Sequence, residues 1–161
     1  MNVYRSLIVF LLVVVAVRTT KGQESNDGTL VIRSFLEEIL VDSDYSVKEI
    51  ATKYIEFEPA LDQADEGLLQ QRFQTLEKHL KKIKSQYSPY YRSCLPILSY
   101  SELETALQIP FDKGIRDAVY GVIFDPGKVM YFYLGTEKIR AFDLYMIKGS
   151  GKSARAYFLT Y

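Results

Sequence analysis

His79 and Cys94 are the single histidine and the single cysteine of a 161-residue chain. One imidazole and one thiol are too few soft ligands for a zinc or iron–sulfur site within one chain, so neither a metal nor another cofactor is expected. No serine, histidine and acid are spaced as a nucleophilic set, and no glycine-rich phosphate loop occurs. Cys94 has no second thiol to bridge with inside the chain, and it reads as a small buried hydrophobe; its remaining option is pairing between two copies, which would make a homodimer. Acid–base chemistry therefore falls to the carboxylates, and Asp143 is the one whose setting is unusual. In the run Ile139, Ala141, Asp143, Tyr145, Ile147 it shares one strand face with apolar neighbours, while Arg140, Phe142, Leu144 and Met146 take the other. An acid among apolar side chains, with Tyr131, Tyr133 and Tyr145 nearby, is placed to act as a base or to accept a ligand's hydrogen bond. The simpler alternative is an exposed acid paired across strands with Arg155 or Lys152. Tyrosine is the compositional oddity, 13 residues against no tryptophan. Its apolar ring and polar tip suit both a half-buried sheet and a binding surface. Tyr131, Tyr133, Asp143 and Tyr145 are therefore the candidate ligand-binding set, with Asp143 the one candidate for catalysis.

Strands and helices must position these groups, and the rhythm of apolar residues says which is which. Val31, Ile32, Phe35, Leu36, Ile39 and Leu40 recur at three-to-four spacing and predict a first helix from about Thr29. Ser46 and Glu49 form a capping box for a second, whose stripe is Val47, Ile50, Ala51, Tyr54 and Ile55; Pro59 closes it. Leu69, Phe73, Leu76, Leu80, Ile83 and Tyr87 predict the longest helix over 65–87. Its lysines, Lys78, Lys81, Lys82 and Lys84, match the helix dipole and read as a solvated end, with His79 at the edge of the apolar stripe. Periodicity fails over 90–116, apart from a short strand near Ile97 and a short helix or turn over 101–107. Strands then follow over 118–124, 128–134, 138–148 and 152–161. Asp125-Pro126-Gly127, Gly135-Thr136-Glu137 and Gly149-Ser150-Gly151 are the turns. Four strands joined so tightly predict an antiparallel meander, since parallel pairing needs a long crossover.

The start of the chain is of another kind. Arg5, the apolar run from Leu7 to Val17 and the polar stretch up to Gly22 are the pattern of a secretory signal peptide, too short to span a bilayer. Residues 1–22 are thus expected to be removed, residues 23–28 to form a flexible leader, and 29–161 to fold as a single domain, exported to the periplasm or secreted, with no stable membrane span after cleavage. Cleavage would leave 139 residues with a charge balance of −3, a surface with no electrostatic footprint for nucleic acid.

The fold class expected is α+β, three N-terminal helices packed on a curved antiparallel meander. This element order, with helix faces such as Ile32-Arg33-Ser34-Phe35-Leu36, resembles the cone-shaped nuclear-transport-factor-2-like superfamily, which includes SnoaL-like proteins. The resemblance implies a sheet wrapped around the long helix to leave a pocket, and in some members an Asp base assisted by Tyr and a second Asp. A cystatin-like fold, one helix on a four-stranded meander, is the alternative for the C-terminal half. The function expected is a non-enzymatic binding or interaction domain whose partner is a small apolar ligand or a protein. The alternative is a small-molecule isomerase or cyclase using Asp143 as a pocket acid.

Overall fold

Each apolar stripe becomes the buried face of a helix. The computed structural model describes residues 24–42, 44–125, 127–147 and 155–159. Helix α1 (Glu24–Val41) buries Ile32, Phe35, Leu36 and Ile39 almost completely. It starts at Glu24, ahead of Thr29, where the apolar stripe begins. Helix α2 (Val47–Tyr54) opens on Ser46, whose hydroxyl accepts the Glu49 N–H. Helix α3 (Glu66–Tyr87) opens on Asp65, whose carboxylate accepts the Leu68 N–H at 2.8 Å, and it buries Leu76, Leu80 and Ile83. Lysines meet the C-terminal carbonyls of two helices: Lys84 donates to Asp42 O beyond α1, and Lys128 donates to Gln86 O in α3 at 2.9 Å.

Six strands follow: β1 (Ile97–Ser99), β2 (Val119–Asp125), β3 (Lys128–Leu134), β4 (Ile139–Ala141), β5 (Asp143–Ile147) and β6 (Arg155–Leu159). Strands β1 to β4 form one antiparallel sheet in that order, so the domain is α+β, three helices on an antiparallel sheet. Gly127 takes φ 83° in the β2–β3 turn, a conformation that glycine permits. The segment in which periodicity fails supplies edge strand β1 and two 3₁₀ turns, Thr105–Leu107 and Arg116–Ala118.

The expected continuous strand over 138–148 is corrected. It breaks at Phe142: β4 pairs with β3 at Tyr133 and Leu134, whereas β5 pairs with β6 from Asp143↔Leu159 to Ile147↔Arg155 as a separate two-stranded sheet. The cause is the Phe142 ring, buried against the helical layer with its centroid 5.2 Å from Phe35 and 6.4 Å from Phe132. A side chain drawn into the core at that point turns the chain out of the pleat.

Strands β2 and β3 are consequently covered on both faces. Val122, Phe124, Met130, Phe132 and Leu134 pack with the helices in the main core. Val119 and Tyr131 lie on the opposite face, in a second core with Leu103 and Phe111 from the 100–118 segment and Ala156 and Phe158 from β6. Phe111 and Phe158 stack there with centroids 4.9 Å apart and planes 3° from parallel.

Candidate functional site

Once β5 leaves the line of β4, a gap opens along β3. Ile123 N–H donates to Pro96 O and Tyr100 N–H to Val119 O, so the odd-numbered residues of β2 turn their backbone groups toward β1. Val129 and Tyr131, opposite Ile123 and Gly121, therefore turn theirs away from β2 and toward the gap. Helix α3 closes the gap's other side. His79, Lys82, Ile83, Gln86 and Tyr87 recur at offsets of three and four and so share the helix face that lines it. Phe142 and Leu144 complete the wall on either side of Asp143. The result is a wedge-shaped cavity of about 120 Å³, with Lys82 and Gln86 exposed at its mouth and His79 buried, 8% exposed. Its wall carries the cation Lys82.

The four predicted site residues fall into two pairs. Tyr131 and Tyr133 share the sheet face that carries the second core. Tyr131 is 8% exposed and its hydroxyl donates to Leu107 O; burial, with the Tyr100 and Tyr87 hydroxyls adding, pushes its own ionisation upward. Tyr133 is half-buried, its ring 5.7 Å from Phe158 and 5.9 Å from the Arg140 guanidinium. Both rings pack on that sheet face, and Tyr131 also lines the cavity beside α3. Asp143 and Tyr145 occupy β5 in register with Leu159 and Tyr157, and their side chains lie outside the described residues.

Two further expectations change. His79, expected at the edge of the α3 stripe, is in the wall of the cavity. Its signal was legible, because His79 stands four residues before Ile83 on one helix face. Cys94 is exposed where a buried thiol was expected, because it lies on the surface loop leading to β1. That loop is held by Arg33, which donates to Ser93 O at 2.7 Å and to Leu95 O at 3.3 Å. An open groove of about 580 Å³ adjoins Cys94, with Arg92 on its rim and the acids Glu104 and Asp125 beside it.

Arg72 is the buried charged group that sequence reasoning passed over. It is 9% exposed, donates to Pro59 O and Glu58 O at 2.6 Å each, and lies 5.5 Å from the Phe57 ring centre. It fixes the path of the chain after α2.

Comparison with protein-family models, with curated proteins and with solved structures finds no match to the chain.

Proposed function

We propose that this chain is an exported, non-enzymatic binding and interaction domain. The observation that supports it is the filled sheet: Phe132 on one face is wholly buried, and Tyr131 on the other is covered by Phe111. Whereas the groove beside Cys94, about 580 Å³, is larger and open, the wedge beside α3, about 120 Å³, is well below the ~300 Å³ at which small-molecule pockets begin. A site that small can hold a group but cannot surround a substrate and exclude water from it. The export part of the reading rests on the apolar run from Leu7 to Val17 alone. The cone-shaped superfamily remains part of the proposal on element order, three helices before an antiparallel sheet.

The test is to isolate the protein under native conditions from the organism that makes it and weigh it intact by mass spectrometry. A chain lacking residues 1–22, carrying a partner or ligand that is released chemically unchanged, is expected. Recovery of a bare chain, retention of residues 1–22, or release of a chemically altered species over repeated cycles would overturn the proposal.

A further inference from the structure

We infer that the groove between α2 and α3 is a self-association face, on which a second copy of this chain packs its α3 antiparallel to the first as a weak, reversible dimer. The inference rests on the interaction reading above and gives it a partner.

Spacing along the helix makes the groove. Leu69 and Phe73, one turn apart on α3, and Val47 at the start of α2 form its apolar floor, and all three are only half-buried. Glu66, Gln70 and Glu77 line it from the same side of α3. An open groove of about 380 Å³ with anchors at helical spacing suits the apolar face of another helix.

Charge decides which helix. α3 begins in acids, Asp65 and Glu66, and carries Lys78 and Lys81 toward its end; the Lys81 ammonium extends the groove face by its 2.6 Å pair with Glu77. A foreign segment of one sign would meet its own sign at one end of this face. Two copies laid parallel would set Glu66 against Glu66 and Lys81 against Lys81, which is repulsive. Laid antiparallel about a two-fold axis between Phe73 and Gln74, they set Glu66 opposite the partner's Lys81 and Gln70 opposite the partner's Glu77, with the Phe73 rings beside the axis. Each polar pair then occurs twice. Lysine has three N–H donors, so Lys81 can keep its own Glu77 while meeting the partner's Glu66. Val47, Leu69 and Phe73 are few beside the ~20 residues a side that a standard interface uses, so the dimer dissociates on dilution.

The experiment is sedimentation equilibrium on the protein isolated as in the test above, from about 1 µM to about 1 mM, a span that covers weak association. A reversible monomer–dimer equilibrium is expected. Glu66→Lys and Lys81→Glu, both at exposed positions, should each weaken it about tenfold by turning two attractive pairs into repulsive ones, and the double variant should recover it. Lys113→Glu makes the same change of charge on the segment that covers the other face of the sheet, and should leave association unchanged. A monomer at every concentration, a double variant no stronger than the single ones, or equal weakening by Lys113→Glu would overturn the assignment. A strict monomer that is still isolated with a bound partner would sink this inference and leave the proposed function standing; a dimer that releases a chemically altered species would do the reverse.

Discussion

At the scale of single residues, the chain places its polar groups where packing needs them held. Glu38 on α1 accepts from Lys53 and from the Tyr54 hydroxyl on α2, both at 2.7 Å. The Lys53 ammonium holds the Glu38 carboxyl below its usual value of about 4.5, against partial burial, which raises it, and with further help from Tyr54. The folded state therefore takes up this proton less readily than the unfolded chain. The stabilisation is complete above the usual carboxylate range and is lost as pH falls through the depressed folded value. Thermal midpoints followed by circular dichroism from pH 7 to pH 3 should show this directly. Glu38→Gln is expected to melt lower than wild type at pH 7 and to lose less on acidification; parallel curves for the two proteins would show that the cluster is not coupled to folding. Such roles were only partly visible in the sequence. Arg72, Leu76, His79 and Ile83 are spaced by four, three and four, so arginine and histidine occupy the same buried face as the aliphatics. Residue type hid this, because a cation on a helix is ordinarily at the surface and only the carbonyls of Glu58 and Pro59 make this burial tolerable.

At the scale of elements, the sheet closes its edges with local devices. On β1, Ser99 donates its N–H to the Glu102 carboxylate at 2.8 Å and receives the Glu102 N–H on its carbonyl, which occupies the outward backbone groups at that end of the edge strand. At the β4 edge, Glu56 N–H donates to Ile139 O at 2.9 Å, so the chain leaving α2 covers that side. The helices were legible because each carries an unbroken stripe with a cap. The break at Phe142 was not, since apolar alternation runs through it and only the helical layer's pull on one ring decides it. Strand β6 depends on one ring as well, because Phe158 packs on Phe111 and Tyr133. Phe158→Ala should cost about 2–3 kcal/mol, below the value for a fully buried phenylalanine. Amide hydrogen exchange is the measurement: β5 and β6 should exchange tens- to a hundredfold faster while α1 and α3 keep their protection. Uniform acceleration across the chain would mean that the hairpin does not open on its own.

At the scale of the molecule, distant parts of the chain meet at a few fixed points. Arg140 of β4 donates to Glu56 Oε1 through Nε at 2.8 Å and Nη2 at 2.5 Å, tying the chain just after α2 to β4. The pair needs Gly135, where an added Cβ would lie 1.6 Å from Glu56 Oε2 and 2.7 Å from its Cδ. Gly135→Ala should therefore expel Glu56, and the substitution is expected to cost about 1 kcal/mol less in a Glu56→Ala background. Denaturant midpoints of the four proteins of that cycle test it, and strict additivity would refute the coupling. The α+β class was legible from the change of rhythm near residue 117. The double covering of the sheet was partly written in β2 and β3, whose nearly continuous apolar runs are the pattern of strands buried on both sides. Tyrosine obscured it, since a hydroxyl can face water or, as Tyr131 does, a backbone carbonyl. The two cores also differ in when they can be completed. Among the described residues, every member of the main core has been synthesised once Phe142 has, whereas the second waits for Ala156 and Phe158, which follow it in the chain. A polypeptide emerging N-terminus first can thus close its helical layer early, with Phe111 and Tyr131 exposed until the tail arrives, so nascent chains cut short after Phe142 would be the ones that need chaperones.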